Sequence, residues 1–440
     1  MLKRVHIKGY KSLADVAVKL EPLTVLFGPN AAGKSNFLDA LQLLSRIGAS
    51  RTLREAFDAP YRGKALESFS IGKEGVKGLI EQERLTFSIE ADLGLAEVVV
   101  DTVNRYIRNT RLSSGRTASG SAGRQPSPVS ARNLRYRIVI EMQPKTGALR
   151  VADEHLAALT SKGDPAIKRK PFIERRGEKI HVRREDRPHV THHDRFLDHS
   201  ILSMPHYPPH HPHLVAARSE LEGWQFFYLE PRERMRAANP VRETPGIGSA
   251  GEELAAFLNT AKAEEPELFR CVERELHGMM PTIDGIEVEV NDVGEVELRL
   301  NERGVKMPAR LLSEGTLRLL GLLALTADPP ALVGFEEPET GVHPRRIPMI
   351  AQTLQVRSRL FSGLHSQYIV TTHDPFLPDL VSPRSLFVVE RTKRTNHQTR
   401  IVPFAAWREA RRGRNVQEAR RDDREHTRIW ERIVRGDFGA

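Results

Sequence analysis

Three short stretches of this chain carry side chains whose type and spacing can do chemistry. The first, "GPNAAGKSN", is Gly28, Pro29, Asn30, Ala31, Ala32, Gly33, Lys34, Ser35 and Asn36, and it fits the pattern G-x-x-x-x-G-K-[ST]. In such a loop, successive backbone N–H groups and the start of the following helix make a cradle for phosphate oxygens. Lys34 is then expected to balance charge on the β- and γ-phosphates of ATP, and the Ser35 hydroxyl to hold Mg2+. The second stretch, "LVGFEEPETGVHP", is an apolar run that ends in adjacent acids. Glu336 is expected to bind Mg2+ through water, and Glu337 to polarise the attacking water as a general base. The third, "YIVTTHDPF", repeats the design with His373 at the end of its apolar run. A neutral imidazole there can hydrogen-bond a γ-phosphate oxygen and register whether it is present.

These residues need elements that bring them to one edge. The first fifty residues read as three strands, "VHIKGY", "VAVKL" and "LTVLF", followed by a helix from Gly33 to Ile47 with Phe37, Leu38, Ala40, Leu41 and Leu44 at helical spacing. From Arg310 onward the pattern is helix, strand "LVGF", helix, strand "YIVTT", then "SLFVVE" and "TRIVPF" as strands. A strand covered on both faces reads as an unbroken apolar run, and the carboxyl ends of such strands border the ligand crevice of an open α/β sheet. Both ends of the chain therefore predict α/β structure.

The middle has another texture. "RLSSGRTASGSAGRQPSPVSAR", 111–132, is rich in Ser, Gly and Pro and predicts a disordered loop, because it has little to bury. The strand "YRIVIEM" follows, then a Lys/Arg/His-rich stretch to about Leu214, amphipathic helices around Gly251–Met280, and the alternating strands "IEVEV" and "VELRL". The organisation expected is residues 1–50 as the first half of an ATP-binding lobe, 51–309 as its remainder plus an inserted lobe, 310–405 as the second half, and 406–440 as an Arg-rich helical tail.

The bulk numbers agree with a folded, water-facing chain: 39% of 440 residues are hydrophobic, enough for a core. No apolar run reaches the length of a membrane span, no signal peptide is legible, and the lone Cys271 fits a reducing compartment, so a cytoplasmic location is expected. A net charge of +10 favours a polyanionic partner, but 67 basic against 57 acidic residues is a mixed surface that leaves DNA, RNA and acidic protein open.

The order of P-loop, "LSEGT", "FEEPE" and "TTHDP" resembles the ABC-type AAA family ATPases of the RecF/SMC class, most closely stand-alone relatives of the OLD-family ATPase domain. The resemblance covers roughly the first fifty and the last 130 residues. It implies an α/β fold, a P-loop NTPase ABC-type head with a mixed sheet and an inserted α+β lobe. It also implies that Leu312–Thr316 is the signature motif, with Ser313 and Gly315 as a second phosphate-binding surface, and that Lys11, in the opening "LKRVHIKGYKSLADVAVKL", lies beside the nucleotide. In that family the signature completes the ATP site of the opposite subunit, so the resemblance implies a homodimer closed by ATP. The job it implies is a DNA transaction, repair or defence against phage or plasmid DNA, with a separate effector such as a nuclease; a non-catalytic nucleotide-gated scaffold is the alternative.

Leu312 lies 277 residues beyond Ser35, too far for a transporter ATPase, and no long coiled coil marks a full SMC protein. Sixty-seven residues follow His373, fewer than the nuclease domain of OLD proteins needs. The chain also departs from the pattern. Glu336 stands where Asp is usual, Glu314 where the signature commonly has Gly, and His343 where many relatives carry Asp. Gln82 and Gln143 are both candidates for the glutamine-bearing loop. The histidines between His189 and His213 lie among prolines without metal-site spacing. Arg411, Arg412, Arg414, Arg420 and Arg421, and also Arg46, Arg51 and Arg54, could touch phosphates, but interleaved acids and helix ends favour solvated surfaces.

Overall fold

Strand Asn133–Gln143 turns Leu134, Tyr136, Ile138, Ile140 and Met142 inward and leaves their neighbours partly exposed, the signature of a sheet with one covered face. It belongs to the first of two units of this computed structural model, formed by 1–21, 31–224 and 389–402; the second comprises 22–30, 225–388 and 403–440. The structure describes residues 1–72, 74–113, 128–327, 329–359, 366–391, 397–412, 429 and 431. Arg414, Arg420 and Arg421 lie outside them, and the side chains of Arg411 and Arg412 are likewise not described.

The first unit is built on an eight-stranded antiparallel sheet. Its order is Leu13–Lys19, Leu2–Tyr10, Leu85–Gly94, Asn133–Gln143, Ala148–Ala158, Ile173–Arg176, Lys179–Arg183 and Val190–Asp194. The last three strands fall in the stretch whose Lys, Arg and His content hid them; only Ile173, Ile180 and Val182 mark their buried face. Helices Lys34–Ala49 and Pro212–Glu222 pack together, with the Ser45 hydroxyl donating to the Leu221 carbonyl at 2.7 Å. Buried Glu154 is fully employed: it accepts from Tyr136, from the Ser200 hydroxyl and from the backbone N–H groups of Ile201 and Leu202. The expected loop 111–132 begins inside helix Glu97–Ser113 and ends at an anchored stretch, where the Val129 N–H donates to Asn104 at 3.2 Å and the Ala131 N–H to His213 at 2.9 Å; residues 114–127 lie outside the described set.

The second unit holds the strands whose apolar runs are unbroken. Leu23–Phe27, Leu332–Glu336 and Gln367–Thr372 are buried at every position. Leu332–Glu336 pairs in parallel with Gln367–Thr372, which pairs in parallel with Leu23–Phe27, and that strand pairs in parallel with Leu386–Glu390. A smaller antiparallel sheet joins Asn239–Pro240, Glu295–Glu302, Ile283–Val290 and Val305–Pro308. The expected helical region 251–280 is two helices, Leu254–Glu264 and Pro266–Met279, divided where Pro266 starts the second. Helix Glu314–Ala327 is apolar nearly all round and is buried from Gly315 to Thr326. Among the described residues no helix is long and apolar enough to cross a membrane.

Candidate functional site

Register places the acid pair and the histidine at one edge of the parallel strands. Phe27 is opposite Thr372, and Glu336 is opposite Thr371, so the segments that leave these strands, starting at Gly28, Glu337 and His373, emerge side by side. Glu336, the last strand residue, is buried. Glu337 follows in the left-handed region, at φ 48°, and its N–H still donates to the Thr371 carbonyl at 3.0 Å. A non-glycine residue held there is strained, and such strain gathers where function over-determines the backbone. The turn aims the Glu337 carboxylate at His373, whose Nδ1 lies 2.8 Å from Oε1, while the Thr340 hydroxyl donates to Oε2 at 3.1 Å. Glu336 and Glu337, adjacent in sequence, thus point to different surroundings.

Glu339 escaped the sequence reading, which stopped at the adjacent acids Glu336 and Glu337. It is buried, and burial pushes its carboxyl up to about 7 despite the bond from Thr372. The signal that could have found it was its spacing, three residues past a strand that is buried throughout.

Ser313 is exposed and caps helix Glu314–Ala327: its Oγ accepts the Thr316 N–H at 3.1 Å and lies 2.7 Å from Thr316 Oγ1. Gly315 lies against the turn that follows the acids; a Cβ there would sit 2.6 Å from the Gly341 carbonyl oxygen. Glu314, in the place of the common Gly, pairs with Arg232. The Arg236 guanidinium donates to the Leu312 carbonyl at 2.9 Å, so two arginines hold the signature turn. Exposed His343 accepts the Arg345 N–H at 3.2 Å and starts the 3-10 turn Pro344–Arg346.

In the first unit, Ala31 and Gly33 take positive φ values of 60° and 104° just before helix Lys34–Ala49. Only glycine fits at 33, because an added Cβ would lie 2.1 Å from Thr399 Oγ1 and 2.7 Å from Ser12 Oγ. These two hydroxyls brace the loop. Thr399 donates to the Ala32 carbonyl at 2.7 Å, the hydroxyls are 2.6 Å apart, and the Asn36 amide donates to Ser12 at 2.8 Å. Nothing in the spacing of Ser12 and Thr399 announced this, since 387 residues separate them. Lys34 is buried, and Ser35 stands at the first turn of the helix.

Lys11 is the left-handed corner of the first hairpin, at φ 46°; its ammonium donates to Asp39 Oδ2 at 2.7 Å and faces the rings of Tyr10 and Tyr61. Asp39 also takes Arg62 at 2.8 Å. A cavity of about 560 Å3 opens beside these residues, lined by Lys11, Ser12, Asn36, Ile71, Arg391 and His397.

Other candidates stand apart from this chemistry. Arg46 is bound to the carbonyls of Ala56, Glu55 and Asp58, whereas Arg51 and Arg54 are exposed. The Gln82 amide donates to the Gly78 carbonyl of the preceding short helix Gly75–Ile80, and Gln143 lies at a strand end; both are exposed. Among the described residues no group of three or more His, Cys, Asp or Glu could hold a metal ion. The histidines of 189–213 have other partners: His213 is buried on Phe172 with Nδ1 2.5 Å from Glu185, and His206 meets the Ile201 carbonyl at 2.7 Å.

A family model described as an AAA domain, putative AbiEii toxin, Type IV TA system, matches residues 168–379, and one described as an AAA ATPase domain matches residues 1–90. The chain is 46% identical over 44 residues to the OLD nuclease of Thermus scotoductus, a match covering 10% of this chain and 8% of that protein. It is 32% identical over 93 residues to the DNA replication and repair protein RecF of Gloeobacter violaceus, covering 21% of this chain and 22% of that one. The matched segments thus span less than a quarter of either relative. The crystal structure of an Smc head bound to the C-winged helix domain of ScpA superposes with a TM-score of 0.50 at 12% identity, over 91% of this chain and 97% of that chain. The likeness is one of fold, that of P-loop ABC-type heads.

Proposed function

We propose that this chain, of the ABC-type RecF/SMC/OLD-like class by its AAA family matches and its fold, binds ATP with Mg2+, closes as a homodimer around the nucleotide and hydrolyses it to gate a DNA-related process. The observation that carries the hydrolytic step is the 2.8 Å contact between His373 and Glu337 at the strand edge that leads into the P-loop. The Glu337 carboxylate takes the proton of an attacking water, and the Nδ1–H of His373 holds that carboxylate in place. The backbone of 28–36, Lys34 and the start of helix Lys34–Ala49 receive the triphosphate, and the cavity beside Lys11 and Asn36 takes the nucleoside. Ser35, at the start of its helix, and Glu336, at the end of its strand, each carry a hard oxygen donor of the kind Mg2+ accepts. When bound, that ion supplies charge neutralisation of the transferring phosphoryl group.

The dimer reading rests on Ser313, exposed at a helix start that presents free N–H groups to a partner's nucleotide. Duplex DNA as the partner, and a separate nuclease as the effector, are supported by the net charge of +10 and by what the names of the RecF and Smc relatives say of those proteins. Glu337→Gln tests the whole reading. It is expected to reduce ATP turnover by at least about 100-fold, to leave ATP binding intact and to accumulate ATP-bound dimers in sedimentation, while duplex DNA raises the wild-type rate. Unchanged turnover in this variant would leave the nucleotide as a scaffold ligand and remove Glu337 from its role.

A further inference from the structure

Glu339 has no part in the chemistry above, although it is buried two residues beyond the acid pair. Its Oε1 accepts the Thr372 hydroxyl at 2.5 Å, and its Oε2 has no hydrogen-bond partner among the described residues. The same Thr372 oxygen accepts the Asp374 N–H at 2.9 Å, and Asp374 Oδ1 in turn accepts the N–H groups of Phe376 and Leu377 at 2.8 and 3.0 Å. A hydroxyl has one proton, so giving it to Glu339 sets the rotor and leaves a lone pair for Asp374. His373 lies between these two anchored residues, and its Nδ1 meets Glu337.

We propose that Glu339 is a positioning residue of the hydrolytic site, which locks, through the Thr372 hydroxyl, the turn that aims His373 at Glu337. The proposal rests on the hydrolytic reading of Glu337 and His373. Burial favours the neutral form of the Glu339 carboxyl, and the negative charges of Asp374 and Glu337 add to it. From the packed helix Glu314–Ala327, buried Arg318 faces the same region, attracted by Tyr228, Glu339, Glu314 and Glu337, with Nε and Nη1 lacking a hydrogen-bond partner among the described residues. The clamp therefore changes charge close to neutral pH.

Two measurements decide it. In ATP turnover, Thr372→Val is expected to lower kcat roughly 10- to 100-fold with little change in KM, and Thr372→Ser to restore it. Glu339→Gln keeps an acceptor for Thr372 but cannot titrate, so the limb of the wild-type pH–rate profile near pH 7 is expected to vanish. In NMR of labelled histidines without nucleotide, assigned by the signal lost in His373→Gln, Thr372→Val is expected to move the His373 ring resonances away from their wild-type positions and Thr372→Ser to return them. Unmoved His373 resonances in Thr372→Val overturn the proposal, as does a kcat in that variant equal to that of wild type. Should the wild type hydrolyse no ATP, the hydrolytic reading fails by itself, while the histidine resonances still report on the clamp.

Discussion

At Ser313 an observed role and a proposed one can be separated by substitution. It caps its own helix by accepting the Thr316 N–H, and in the proposed dimer it faces a partner's triphosphate. Ser313→Ala is expected to lower stability in urea by about 1 kcal/mol through the lost cap, and to weaken ATP-dependent dimerisation. Ser313→Asp caps equally well but sets a carboxylate against phosphate, so it should recover the stability and not the dimer. Sedimentation with ATP, alongside urea melts of both variants, reads the two roles separately. The neighbouring acids show the same economy at this scale. Glu336, Glu337 and Glu339 lie within four residues, yet one ends a strand, one is turned by a left-handed backbone onto His373, and one is buried against Thr372.

At the scale of elements, the signature helix and the turn after the acids are in backbone contact at Gly315 and Gly341. In an isolated helix Gly→Ala stabilises by about 1 kcal/mol. Here the added methyl would meet the Gly341 carbonyl oxygen at 2.6 Å, with no flexible side chain to yield. Gly315→Ala is therefore expected to destabilise the second unit by about 1–3 kcal/mol, a reversal of sign that equilibrium unfolding detects. The same approach makes the helix start and the acid-bearing turn move as neighbours, so the variant should also slow any turnover that depends on both. The loop before helix Lys34–Ala49 depends on neighbours in the same way, since Ser12 and Thr399 hold it from two other segments.

Across the whole molecule, stability should depend on pH through half-buried His206 and buried Glu339, which act with opposite sign. Burial pushes His206 down to about 4, opposed by its bond to the Ile201 carbonyl and aided by His211, Arg218 and His193. The unfolded chain protonates such a ring near pH 6.5, so the stability it contributes is complete above that value and is lost as pH falls toward 4. Glu339 acts oppositely: the unfolded chain ionises it near 4.5 while the folded chain holds its proton to about 7, so stability is lost as pH rises through that window. The informative quantity is the difference between variants. His206→Gln should flatten the wild-type loss between pH 6.5 and 4, by at most about 1.4 kcal/mol per pH unit, in thermal or urea melts.

The sequence by itself determined the parts written in local pattern. The P-loop, the fully apolar strands and the acids and histidine at their ends are legible because backbone conformation and strand burial are encoded within a few residues, and the fold class follows from their order. Three charged hairpin strands after Ile173 were not legible, since two or three buried positions carry no visible period. Tertiary structure alone decided that Ser12 and Thr399 brace Gly33, that Asp39 engages Lys11, that Gly315 must be small, and that Glu339 reaches Thr372. Each of these depends on atoms brought together from distant parts of the chain, and a hydrogen bond or a steric limit leaves no trace in the spacing of residues that meet only after folding.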